Sequence, residues 1–143
     1  MQVKTHVLSS AILAIVFYYF TQSLTAIAVL LLSGVFVDLD HLLDFWKTRP
    51  RNPLSLKEFL HPGNYMHQNR KVFVPFHSYE LIILLWLLSR EFNWPLILIA
   101  LSSAFTLHLI LDDIGNHLKT FSYFLIYRTF KKFQVFPEIS QEY

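Results

Sequence analysis

Cysteine is absent from this sequence, and charged residues are few. The lack of cysteine excludes disulfides, thiolate metal ligands and cysteine nucleophiles. Charged residues make up only 15% of the chain, whereas 54% is hydrophobic and the mean hydropathy is +0.40. No Asp, Glu, Lys or Arg lies between Lys4 and Asp38. Uncharged stretches of this length in so short a chain point to a lipid environment.

Four hydrophobic segments alternate with polar connections along the chain. They predict four transmembrane helices at about residues 5–21, 24–41, 72–89 and 93–113. The expected fold class is therefore all-α: an integral membrane four-helix bundle that forms a single domain. A soluble, very hydrophobic four-helix bundle is the alternative. Apolar side chains around the whole circumference of the segments favour the membrane.

Most basic side chains lie in the polar loop at residues 42–71 and in the C-terminal residues. By the positive-inside rule, this loop and both termini are cytoplasmic, which places the protein in an inner or plasma membrane. Residues 116–136 combine apolar positions at helical spacing with basic residues. This pattern predicts an amphipathic interfacial helix on anionic membrane lipid, with a helix packed on a loop or partner as the alternative. No nucleic-acid-binding motif is present.

This topology brings ionisable residues from four helix ends to the cytoplasmic side. His108 and Asp112 are four residues apart and so share one helix face. Nitrogen and oxygen ligands without sulfur suit zinc, with manganese or iron as alternatives, and several carboxylates favour two or more ions. The expected metal ligands are His6, Asp38, Asp40, His77, His108 and Asp112.

Further polar residues at the same helix ends are expected to act around the metal. Asp40 and Glu80 are the expected catalytic groups, with Asp40 bridging two ions or serving as general base. A metal site of this composition activates water and holds a phosphoryl or acyl oxygen. The residues expected to support the ligands from behind are His41, Ser78 and Asp113.

The order of these residues resembles the membrane-bound metal-dependent hydrolase family (domain of unknown function 457) typified by the LexA-regulated inner-membrane protein. The matching residues are His6, Asp38-Leu39-Asp40-His41, His77-Ser78 and His108-Leu109-Ile110-Leu111-Asp112. The chain departs from the family at Val72, which stands where the family has the first histidine of a His-Arg-Gly motif. His67 and Arg70 lie upstream and are the candidates to replace that motif through a longer loop.

The resemblance implies a membrane-bound hydrolase. A looser similarity to zinc-dependent phospholipase C and P1 nuclease, which are helical enzymes with a His-x-x-x-Asp pair, implies hydrolysis of a phosphoester in a lipid-related substrate. Two alternatives stay open: a metal-binding membrane protein without catalysis, and a degenerate homologue. A transporter is disfavoured because the expected ligands gather at one end instead of along the bundle axis.

Overall fold

The computed structural model describes residues 3–48, 73–116 and 121–134, and the regular elements in these ranges are helices. The helices are α1 Val3–Thr21, α2 Leu24–Phe36, α3 Leu39–Thr48, α4 Tyr79–Glu91, α5 Leu96–Gly115 and α6 Leu125–Phe130. The predicted all-helical class is therefore confirmed for this part of the chain. Most of the predicted polar loop, including His67, Arg70 and Val72, lies outside the described residues.

The helices with the longest apolar runs pack on one another. Helices α1, α2 and α5 contact each other, and α4 packs against α5. The shared core is built largely from alanine, with Ala26 and Ala100 fully buried. Small side chains of this kind allow helix backbones to approach closely. The closest approach is at Gly34 of α2, where an added Cβ would lie 2.7 Å from Ser10 Oγ of α1.

Two short turns reverse the chain between packed helices. Ser23 precedes α2 and caps it by accepting a hydrogen bond from the Ala26 N–H. Asn93 and Trp94 join α4 to α5 with φ of 57° and 56°, in the left-handed region that allows a tight turn. Short turns make successive helices antiparallel. The start of α1, the end of α2, the start of α4 and the end of α5 thus meet at one end.

Helix α4 begins later than predicted. The third hydrophobic segment was expected to be helical from residue 72, whereas α4 begins at Tyr79. Residues 73–78 are not helical, because Pro75 disfavours helical geometry in the residue before it. Ser78 then caps α4 by accepting a hydrogen bond from the Leu81 N–H. This non-helical stretch carries His77.

Among the residues that the structure describes, two helices are long and apolar enough to cross a membrane, judged by length and composition alone. They are Leu24–Asp44, in which α2 continues through a turn into α3, and Leu96–Gly115. The apolar helix Thr5–Thr21 is shorter. Large apolar side chains on the outside of the packed helices include Ile15, Tyr19, Phe20, Leu24 and Ile114. The four-span topology therefore stays a prediction.

The C-terminal helix is shorter than predicted. Within the predicted helix at residues 116–136, the described residues contain only the six-residue α6. Phe121 has a φ of 65°, which is incompatible with a continuous α-helix through this point. Helix α6 packs on the start of α4, where the Glu80 carboxylate accepts hydrogen bonds from Leu125 N and Ile126 N. This contact corresponds to the alternative of a helix packed on a loop.

Candidate metal centre

The six predicted metal ligands all lie where the four helix ends meet. His6 is in the first two turns of α1, and Asp38 lies in the turn between α2 and α3. His77 precedes α4, and α5 supplies a histidine and an aspartate from its last two turns. All of these side chains are buried except that of Asp38, which is partly exposed. The structure thus brings His6, Asp38, Asp40, His77, His108 and Asp112 to one place.

Four ligand atoms form a closed ring at the centre of this cluster. Asp38 Oδ1 lies 3.4 Å from His77 Nε2 and 3.3 Å from His108 Nε2. Asp112 Oδ2 lies 3.3 Å from His77 Nε2 and 3.6 Å from His108 Nε2. Two carboxylate oxygens therefore alternate with two imidazole nitrogens around the ring.

The separations within this ring match those around a metal ion. Nitrogen and oxygen ligands lie about 2.0–2.2 Å from zinc, so neighbouring ligands of a tetrahedral ion are about 3.3–3.6 Å apart. The four contacts of the ring, at 3.3–3.6 Å, fall in this range. The four separations between ring neighbours are therefore compatible with a divalent ion shared by two histidines and two aspartates.

Hydrogen bonds on the far side of each imidazole fix which nitrogen faces the ring. Nδ1 of His77 lies 3.1 Å from the Asp40 carboxylate, and Nδ1 of His108 lies 3.1 Å from the carbonyl oxygen of Gly34. Both oxygens only accept hydrogen bonds, so each Nδ1 carries a proton and donates it. In the neutral imidazole, Nε2 then presents a lone pair.

These two Nε2 atoms have no hydrogen-bond partner, although both are buried. Such atoms are rare, because leaving a buried polar atom without a partner costs free energy. A metal ion would satisfy both at once. His77 Nε2 and His108 Nε2 thus make no hydrogen bond and each faces two carboxylate oxygens of the ring, which supports a metal site there.

Two further histidines flank the ring. His6 Nε2 contacts Asp112 Oδ1 at 3.1 Å, and its ring stacks on that of His108 with centroids 4.0 Å apart. On the other side, His41 Nε2 lies 3.8 Å from Asp38 Oδ1. The ligand atoms form two groups that could each hold an ion: His6, His108 and Asp112, and Asp38, His41 and His77. The cluster contains enough donors for two ions.

Asp40 contacts one of the two histidines of the ring. Its side chain is fully buried behind His77, and both its oxygens lie 3.1 Å from His77 Nδ1, on the side away from the ring. It also accepts a hydrogen bond from the Phe76 N–H at 2.8 Å. This arrangement favours a carboxylate that orients a metal-binding histidine over the predicted bridging ligand or general base.

Three other predicted site residues are engaged in contacts of their own. The predicted catalytic residue Glu80 lies outside both ligand groups and caps α6. Ser78 caps α4 and donates a hydrogen bond to the Pro75 carbonyl. Asp113 is exposed and accepts a hydrogen bond from the Tyr79 hydroxyl at 2.7 Å. The structure therefore gives Glu80 and Ser78 helix-capping roles.

Arg128 is the residue near the site that sequence reasoning missed. It was counted among the basic residues of an interfacial helix, but its side chain is buried and donates to the carbonyl oxygens of Val74 and His77. Burial lowers the pKa of the guanidinium, whereas the carboxylates of Asp40 and Glu80 act in the opposite direction. The sequence does hold one signal: Arg128 is the only charged residue from position 121 to 130.

Comparisons with protein-family models, with curated proteins and with solved structures found no match. The resemblance described in the sequence analysis therefore rests on its motif residues alone.

Proposed function

We propose that this protein is a membrane-bound, metal-dependent hydrolase that cleaves phosphoester bonds in a lipid-related substrate. The observation that carries the proposal is the ring formed by Asp38, His77, His108 and Asp112, in which two buried Nε2 atoms lack a hydrogen-bond partner. Nitrogen and oxygen donors without sulfur favour zinc, with manganese or iron as alternatives. With two ions, His6 would join His108 and Asp112 around one of them, and His41 would join Asp38 and His77 around the other.

A divalent ion bound in this ring would lower the pKa of a coordinated water molecule and polarise a phosphoryl oxygen. The chain's own residues provide orientation and access. Asp40 holds His77 by its Nδ1, so that Nε2 faces the ring. Asp38 has the most exposed side chain of the ring, at 31%, so a substrate would approach on its side. His41 lies beside Asp38 at this open side.

The membrane part of the proposal rests on the apolar helices. The two candidate spans and the outward-facing apolar side chains of α1 support insertion of the bundle into lipid. The basic polar loop supports a cytoplasmic position for the cluster end and both termini. A cluster at the ends of spanning helices would lie at the headgroup level. This position is the reason for proposing a phosphoester in a lipid as the substrate.

A metal-binding membrane protein without catalysis is the second candidate. The observation that favours it is the burial of the ring, in which His77, His108 and Asp112 are each less than 5% exposed. A hydrolase needs an open position for substrate beside the ion, whereas a structural site is closed. The partial exposure of Asp38 is the feature that favours the hydrolase.

The two candidates are separated by one set of measurements on protein purified in detergent. We expect elemental analysis to find at least one zinc, manganese or iron ion for each chain. We also expect hydrolysis of bis(p-nitrophenyl) phosphate or of phospholipid in mixed micelles, lost with a chelator and regained with the ion. Bound metal without hydrolysis would favour the second candidate. Full hydrolysis by metal-free protein would overturn the proposed mechanism.

A further inference from the structure

We infer that the C-terminal segment, residues 121–134, holds His77 in its metal-binding position and that Arg128 is the positioning residue through which it acts. This inference rests on the proposed metal site. It concerns the non-helical residues 73–78, here called the His77 segment. Because these residues are not helical, the backbone hydrogen bonds of a helix do not hold His77 in position.

One side of the His77 segment is held by carboxylates from α3. The N–H of Phe73 donates to Asp44 Oδ1 at 2.7 Å, and the N–H of Phe76 donates to Asp40 Oδ2 at 2.8 Å. Backbone groups outside regular helices need such partners when they are buried. The two aspartates therefore satisfy donors of the segment but leave its carbonyl oxygens to other groups.

Arg128, in the C-terminal segment, binds two of those carbonyl oxygens, of which the Val74 oxygen also accepts a hydrogen bond from the His77 N–H at 3.2 Å. Its Nη1 donates to the carbonyl of Val74 and its Nη2 to the carbonyl of His77, both at 2.7 Å. The guanidinium is planar and rigid, so two such bonds fix the direction as well as the distance of the bound backbone. At 2% exposure, Arg128 has little access to water as a competing partner.

Other contacts hold the C-terminal segment against the start of α4. Glu80 accepts hydrogen bonds from Leu125 N at 2.8 Å and Ile126 N at 3.0 Å. The carbonyl oxygen of Tyr123 accepts a hydrogen bond from the Tyr79 N–H at 2.9 Å. These bonds attach the C-terminal segment to α4 independently of Arg128. The guanidinium therefore contacts the His77 segment from a helix that is itself anchored to α4.

The position of His77 Nε2 thus depends on two kinds of contact, one to the imidazole and one to the backbone. Asp40 fixes the imidazole by Nδ1, and Arg128 fixes the backbone that carries it. Loosening the backbone would move Nε2 relative to Asp38 and Asp112, and a metal site tolerates only small errors in ligand position. Arg128 would therefore affect metal affinity without touching the metal.

The test compares Zn²⁺ binding by wild-type protein, Arg128→Met and Arg128→Lys in detergent, by competition with a chromophoric chelator. We expect both variants to bind Zn²⁺ about 10- to 100-fold more weakly, as is typical when groups that orient ligands are removed. Arg128→Lys should bind Zn²⁺ little better than Arg128→Met does, because an ammonium cannot bind two carbonyl oxygens in a fixed plane. The Co²⁺-substituted variants should also show a shifted visible absorption spectrum. Lys131→Met, which changes an exposed cation nearby, is the matched control and should bind as wild type does.

The outcomes separate this inference from the proposed function. Folded Arg128 variants with wild-type Zn²⁺ affinity and an unchanged Co²⁺ spectrum would overturn this inference alone. A wild-type chain that binds none of Zn²⁺, Mn²⁺ and Fe²⁺ would overturn the proposed function and this inference with it. If the Arg128 variants do not fold, Glu80→Gln decides, because it loosens the attachment of α6 to α4 while the arginine itself is kept. It should weaken Zn²⁺ binding, and unchanged affinity in that variant would again overturn the inference.

Discussion

Two adjacent aspartates near the end of α5 have different surroundings. Asp112 is buried and contacts His6, His77 and His108. Asp113 is exposed and contacts the Tyr79 hydroxyl. They have the same side chain in the same helix turn, so substitution of each separates the effect of the cluster from general effects on α5.

We expect Asp112→Asn to weaken Zn²⁺ binding by about 100-fold or more, since it removes the charge of a predicted ligand, a larger loss than that of an orienting group. Asp113→Asn should stay within about twofold of wild type, as substitutions at exposed positions generally do. Chelator competition gives the affinities, and circular dichroism checks that both variants are helical. Equal affinities in the two variants would contradict the assignment of Asp112 to the site.

At the residue scale, the sequence predicts donor identity better than donor role. The His108 and Asp112 pair could be predicted because spacing of four residues places both on one helix face. The role of Asp40 could not, because it depends on contact with His77, which is 37 residues away in the chain. Arg128 is more distant still, at 51 residues from His77, and no local pattern reports a contact of that range.

At the element scale, the contact between α1 and α2 depends on a missing side chain. An alanine Cβ at Gly34 would lie 2.7 Å from Ser10 Oγ but 3.5 Å from Ser10 Cβ, which is an ordinary contact distance. The conflict is therefore with the hydroxyl alone. In a helix, alanine is otherwise favoured over glycine by roughly 1 kcal/mol.

We expect Gly34→Ala to lower the free energy of unfolding by about 1 kcal/mol in the wild-type background, through overpacking. In the Ser10→Ala background the same change should be neutral or stabilising by up to about 1 kcal/mol, because the hydroxyl is gone. Unfolding in detergent, followed by circular dichroism, measures the four proteins of this double-mutant cycle. An identical effect of Gly34→Ala in both backgrounds would show that the Ser10 hydroxyl is not the obstacle.

Helix starts and ends follow the sequence where local signals decide them. Ser23 marks the start of α2, and Pro95 precedes α5, as the polar turns indicate. The start of α4 differs because Pro75 and Ser78 outweigh the apolar character of their neighbours. Helix α6 begins at Leu125, where Glu80 of another helix accepts hydrogen bonds from its first two backbone N–H groups. That contact is tertiary, so the hydrophobic spacing of the C-terminal residues could not reveal it.

At the scale of the whole molecule, helix length and the position of the cluster are connected. Helix α5 has 20 residues and is about 30 Å long, which equals the thickness of the hydrocarbon core of a bilayer. Its ligands lie in its last two turns, and the Asn93–Trp94 turn precedes its other end. If α5 spans the bilayer, the cluster and this turn lie on opposite sides. The positive-inside rule then places the cluster on the cytoplasmic side.

The absence of cysteine makes this topology directly testable by cysteine labelling. Leu24, the first residue of α2, and Glu91, the last residue of α4, are exposed at the end of the bundle away from the cluster. Gln134 is exposed in the C-terminal segment, which packs beside the cluster. A membrane-impermeant maleimide should label Leu24→Cys and Glu91→Cys in intact cells. It should label Gln134→Cys only after the membrane has been disrupted.

A permeant maleimide, which should label all three variants in intact cells, controls for the reactivity of each thiol. Labelling of Gln134→Cys alone from outside would reverse the orientation and place the cluster away from the cytoplasm. Equal labelling of all three from outside, in cells that exclude the reagent, would mean that the helices do not span the membrane. The exposed apolar side chains of α1 would then have to be covered by something other than lipid. The reason for proposing a lipid phosphoester as substrate would also be lost.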